Sequence, residues 1–212
     1  MSYTHLNRPL KLMTVLGEDA LLLERFHAQE RLSAPFLLEL ELVSPRWSIP
    51  FESLLGSPVV VSLTLPQLQE RFFHGHIHRF VQGGHNADGL VLYRAEVVPW
   101  LWFLNLNADC RIFQDRSTRD IVTKIFQEQG VHDFEFRNVT RGTEPREYCV
   151  QYRETAFNFV SRLMEEDALY YYFEHQADKH LLVIADEPEQ HPPCPHGARV
   201  SFDPARSDPT TG

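Results

Sequence analysis

The 212 residues carry a net charge of −9, and no Lys/Arg cluster forms the basic face needed to displace counterions from phosphates, so nucleic acid is excluded as the main partner. Hydrophobic residues make up 43% of the chain; that rules out the disordered class and suffices to bury roughly 70% of the unfolded surface. Cys110, Cys149 and Cys194 are odd in number and form no CxxC pair, which reads as free thiols in a reducing compartment.

The N-terminal stretch has no basic region followed by an apolar run, so no signal peptide is expected, and the apolar stretches fall far short of a membrane span. The expectation is synthesis and folding in the cytosol. The first hundred residues read as β. KLMTVL (11–16) and ALLLERFHAQ (20–29) are strands joined across Gly17-Glu18-Asp19. In FLLELELV (36–43), Phe36, Leu38, Leu40 and Leu42 share one face and Glu39 and Glu41 the other, the alternation of a half-buried strand. A short turn around Phe51–Leu55 leads through Gly56 to PVVVSLTLP, where Val59, Val61, Leu63 and Leu65 point inward.

Next comes RFFHGHIHRF (71–80), with His74, His76 and His78 at alternate positions. On a strand these imidazoles share a face together with Phe72 and Phe80, while Phe73, Ile77 and Val81 take the other. The first and third histidines then stand about 13 Å apart, too far to chelate one ion together. A zinc site on two of them would need further ligands, such as His27 or His85. Packing on a partly wet face explains the row without metal. GGHNADG (83–89) is a turn by composition, and LVLYRAEVVPWLWFL (90–104) is a long strand. Five or six antiparallel strands with Gly-rich connections imply a barrel or sharply curled sheet.

Beyond residue 105 the pattern becomes α+β. RSTRDIVTKIFQEQG (116–130) is a helix capped by Ser117 with Asp120 three residues on, closed by Gly130 in the left-handed region, with a stripe of Ile121, Val122, Ile125 and Phe126. DFEFRNV (133–139) and REYCVQYRE (146–154) are strands. TAFNFVSRLMEEDA (155–168) is a second helix capped by Thr155, burying Phe159, Val160, Leu163 and Met164; residues 169–186 form a hairpin turning at Ala177-Asp178-Lys179. The fold class is therefore α+β: an antiparallel β-barrel domain (1–105), an α-β-β-α-β-β domain (106–187), and a Pro-rich segment (188–212) holding at most one short strand, GARVSF.

Catalytic motifs are absent: no GxSxG, Walker loop, GxGxxG or HExxH occurs. Glu165-Glu166-Asp167 could form a paired-carboxylate site in a cleft, but as the end of a helix it reads as solvated. Cys149, mid-strand between Tyr148 and Val150, reads as a small buried thiol rather than a nucleophile. The aromatic runs 99–103 and 169–173 read as packing rather than base or sugar stacking.

The run REYCVQYRETAFNFVSRLMEEDALYYYFEH (146–175), followed by KHLLVIADEP, resembles the VgrG proteins, spikes of the bacterial type VI secretion system. RFHAQERLSAPFLLELELVS, LLGSPVVVSLTL, RFFHG…RF, VVPWLWFL and RIFQDRSTRDIV follow in that family's order, so the likeness covers residues 8 to 188. The family pattern keeps the Phe-His-Gly and Arg-Phe of residues 71–80 and leaves positions 76 and 78 free, which argues against a metal site.

The family is similar to trimeric tail hubs of contractile phages and to phage late control protein D. The resemblance implies two related β-barrels per subunit, a trimer with approximate sixfold symmetry docked on the Hcp tube, effectors or adaptors as cargo, and an OB-fold and needle beyond. It implies assembly in the cytoplasm, then injection, with membranes met only by mechanical puncture. No catalytic, cofactor-binding or metal residue is expected. This chain has the first barrel and the α+β part but not the second barrel, OB-fold, needle or an enzymatic extension. A fragment or truncated gene is the expectation, behaving as a monomer or associating weakly. Two other readings are a contractile-phage tail hub and a metal-dependent enzyme using the 74/76/78 row.

Overall fold

The computed structural model describes residue 4 and residues 8–65 and 69–188. Residues 189–212, with Cys194 and the expected GARVSF strand, lie outside that range. Six strands build the first sheet: β1 (Leu10–Thr14), β2 (Leu22–Gln29), β3 (Leu37–Ser44), β4 (Pro58–Thr64), β5 (Glu70–His85) and β6 (Val91–Val98). Their order is β1-β4-β5-β6-β3-β2, antiparallel throughout. The two strands joined at Gly17-Glu18-Asp19 are thus not a hairpin; they are the opposite edges of the sheet, which curls until they lie in contact. Asp19 and Gly17 both hold positive φ (58° and 85°) in the turn that makes this possible.

The curl encloses a core of Leu12, Leu21, Leu23, Leu38, Leu40, Leu42, Val59, Val61, Phe73, Tyr93 and Val97 among others. Strand β3 follows its alternation, with Leu38, Leu40 and Leu42 buried and Glu39 and Glu41 exposed. In β4, Val59 and Val61 are buried as expected, whereas Leu63 is only half-buried near the end of the strand.

Strand β5 departs from simple alternation. The register with β6 shifts between Ile77 and Arg79, and the extra residue reverses the facing of everything after it. Phe80 therefore joins Phe73 and Ile77 in the core, and Val81 is 42% exposed, the reverse of the expectation from strict period two. The strand also runs through Gly83 and Gly84 to His85, so the turn is confined to 86–89, where Asn86 Oδ1 accepts from the amides of Asp88 and Leu90. Strand β6 stops at Val98 rather than continuing to 104. Pro99 has no amide to offer the ladder, and residues 100–105 wind into a 3-10 helix.

The second half comprises β7 (Ala108–Arg116), α1 (Thr118–Glu128), β8 (Phe134–Phe136), β9 (Arg146–Thr155), α2 (Ala156–Glu166), β10 (Tyr170–His175) and β11 (His180–Ala185). Strand β7 is an addition to the expected order. It pairs with β9 as a two-stranded ribbon, while β10, β11 and β8 form a three-stranded sheet with β8 parallel to β11. Ser117 caps α1 in a reciprocal box with Asp120, and Gly130 closes it at φ 71°. Thr155 caps α2 by accepting from the Asn158 amide. The two helix stripes are buried as expected and pack with Phe113, Cys149, Tyr171, Leu182 and Ile184 into a second core. Phe173 touches both cores.

Candidate functional site

His74, His76 and His78 do not act as a row. His74 is 5% exposed and turned toward the β10–β11 hairpin, where its Nδ1 lies 2.9 Å from Nδ1 of His180. His76 donates from Nδ1 to the Gly56 carbonyl at 3.2 Å and meets the edge of Phe103. His78 sits at the bulge, 3.1 Å from a Glu96 oxygen and against the Trp102 ring. The two further ligands considered from the sequence lie elsewhere: His27 is on edge strand β2 beside Gln29, and His85 stacks on Trp47 at 4.6 Å. Among the described residues, no group of three or more His, Cys, Asp or Glu side chains is arranged to hold a metal ion.

The structure instead joins His74 to His175 and His180, which the sequence reading had passed over. Those two close the β10–β11 hairpin as a register pair either side of its turn; that spacing, HQADKH, was the available signal. The amide of Trp100 donates to His180 Nε2 at 3.1 Å, and the amide of His74 to His175 Nδ1 at 3.1 Å. Phe36 fills the centre, with ring centroids 4.8 Å from His175, 5.4 Å from His180 and 5.0 Å from Phe173. Ser33 adds a backbone tie, its amide donating to the Tyr171 carbonyl at 2.8 Å. This histidine seam fastens the curled sheet to the second core.

Burial sets the charge state of the seam. It lowers the His74 pKa to about 4 and His180 to about 2, with the neighbouring imidazoles adding to the effect. His76 is lowered for the same reason, partly opposed by its bond to Gly56.

The other candidates have structural partners. At the end of α2, burial raises the Glu166 pKa, but hydrogen bonds from Arg146 and Arg162 outweigh it and hold the carboxylate low. Asp167 also binds Arg146, at 3.0 Å. Cys149 is buried in the second core, and desolvation raises its thiol pKa, the opposite of nucleophile activation. Of the aromatic runs, Trp100 and Tyr171 are buried, and Trp102, Phe103 and Phe173 are half-buried. The outer face of the β7–β9 ribbon is different: Ile112, Tyr148 and Tyr152 are 61%, 56% and 66% exposed.

The family model for the phage tail baseplate hub (GPD) matches residues 29–211. Two curated relatives are type VI secretion system spike proteins of Pseudomonas aeruginosa. VgrG1b is 39% identical over 96% of this chain and 27% of its own length; VgrG1a is 44% identical over 85% of this chain and 28% of its own. The chain thus spans about a quarter of these relatives. Among solved structures, the E. coli c3393 protein, described as a type VI component with structural similarity to T4 tail proteins gp27 and gp5, superposes with a TM-score of 0.73 at 24% identity, over 84% of this chain and 50% of that one. A 43 kDa prophage tail protein from Shewanella oneidensis gives 0.57 at 12% identity, over 82% and 52%. These two likenesses are of fold. The chain belongs to the phage tail baseplate hub family, and its sequence relatives are VgrG spike proteins.

Proposed function

We propose that this chain is the hub portion of a type VI spike, and that in the assembled protein three copies form the base seated on the Hcp tube. Residues 1–105 and 106–187 act in this reading as two units fastened by the histidine seam. The observation that carries the proposal is the sequence match to VgrG proteins at 39% identity over 96% of the chain and 44% over 85% of it. The solved phage tail proteins share the fold at far lower identity, which favours the type VI reading over a phage tail. The role is mechanical: its polar groups serve ion pairs and caps, and its exposed ribbon face is of the apolar kind that assembly covers. Effectors or adaptors would ride on the assembled spike, which forms in the cytoplasm before injection.

The test is genetic. Codons 8–188 are removed in frame from the gene in a strain whose other spike genes have been deleted, and Hcp in the culture supernatant is measured by immunoblot. Release is expected to fall at least about tenfold, with return on complementation; release at the parental level would overturn the proposal.

A further inference from the structure

The hydrogen-bond directions at the seam impose a constraint that the packing alone does not. An amide can only donate, so His180 Nε2, 3.1 Å from the Trp100 amide, is an acceptor and carries no proton. Neutral His180 then holds its proton on Nδ1 and donates it across 2.9 Å to His74 Nδ1, which leaves the His74 proton on Nε2. The two links coexist only while both rings are neutral. A second proton on His180 would set an N–H against the Trp100 N–H; one on His74 would set two N–H groups face to face at Nδ1.

His175 differs. Its Nδ1 lies 3.1 Å from both the amide and the carbonyl of His74, and its Nε2 faces Glu30 at 3.6 Å, so its ring is not tied to either of the other two imidazoles by a hydrogen bond that the structure shows. The remaining titratable and charged groups around the cluster are His76 and Arg71 on β5, Glu30 before β3, Asp178 and Lys179 in the hairpin turn, and Asp133, which pairs with Lys179 at 3.2 Å. Asp133 and Asp178 favour a proton on His74, but burial and the neighbouring imidazoles dominate.

We propose that His74 and His180 form a proton-operated latch: acidification opens the contact between β5 and the β10–β11 hairpin while each core stays folded. The sign follows from linkage. Both histidines have folded pKa values below the ordinary 6.5, so the latch is fully closed above about pH 6.5 and weakens as pH falls from there toward the folded values. With two protons taken up on opening, the opening constant rises by up to about a hundredfold per pH unit in that window.

Amide hydrogen exchange of the chain at pH 7.0 and 5.0, corrected for intrinsic rates, reads this directly. Protection at the Trp100 and His74 amides, which donate to the seam imidazoles, is expected to fall more than about a hundredfold, while Leu40 in the first core and Val122 in the second keep theirs. His74→Asn retains an acceptor near Nδ1 but cannot titrate, and should reduce the pH dependence by one proton's worth. His180→Gln retains an acceptor for Trp100 and should do the same, so the proposal does not depend on either variant folding alone. His85→Gln, on the exposed Trp47 stack, should behave as the parent. Seam protection that is independent of pH, parental pH dependence in His74→Asn or His180→Gln, or simultaneous loss of protection in both cores would overturn the latch.

Discussion

Replacing Phe36 by alanine is expected to destabilise the chain by about 3–5 kcal/mol, measured by urea denaturation at pH 7.5. Phe36 is 1% exposed and belongs to the first core, yet its ring also contacts Phe173, His175 and His180. Truncation removes apolar area and leaves a cavity that rigid neighbours cannot fill: a sheet on one side and a hairpin on the other. The loss falls on both cores, so the unfolding transition should also broaden or divide. Phe36→Leu keeps most of the volume and should cost much less. A cost below about 1 kcal/mol for Phe36→Ala would mean that the seam collapses freely and does not bind the cores together.

Gly75→Ala is the second large effect, expected to cost about 1–3 kcal/mol through overpacking. A Cβ at this position would lie 2.5 Å from Val97 Cγ1, 3.0 Å from the Val98 carbonyl oxygen and 3.1 Å from Phe36 Cε2. The first two belong to β6, which is hydrogen-bonded to β5 and cannot withdraw without breaking the ladder; the third is the wedge at the seam. Glycine here is therefore a matter of close approach and not of backbone freedom. Gly84→Ala, where an added Cβ meets nothing within 4 Å, is the matched control and should change stability little. Thermal denaturation of the two variants side by side separates them, and equal melting temperatures would contradict the packing described.

What the sequence disclosed, and what it hid, divides by the range of the interaction. Ser117 and Asp120 announce the start of α1 because a capping box is complete within four residues. The stripes of both helices and the alternation of β3 are likewise local periodicities. Strand β7 was hidden because ADCRIFQDR places Ile112 and Phe113 on opposite faces of a thin ribbon, so no period-two signal forms. The bulge at Ile77–Arg79 has no compositional mark, and one inserted residue was enough to exchange the facing of Phe80 and Val81. Pro99 ends the ladder, but the aromatic run after it has the composition of a strand, so 90–104 reads as one strand from the sequence.

The candidate site was the least legible part. The row of three histidines drew attention on β5, but only His74 enters the seam's chain of ring hydrogen bonds. Its partner His180 lies 106 positions away, across a contact that no pattern within either segment encodes. The low solvent exposure of His74 is what converts a tolerant strand position into a charge-sensitive one, and burial is a property of the tertiary structure alone.

The central claim is the proposal that these residues form structural scaffold at the base of a type VI spike. Electron cryomicroscopy of the spike assembled with the proposed Hcp tube tests it most directly. The account predicts that the density for residues 8–188 occurs three times in a ring at the junction of tube and spike, with the two cores joined at Phe36 and the histidine seam. Density for this segment found away from that junction, or in a single copy hanging from the spike, would contradict it.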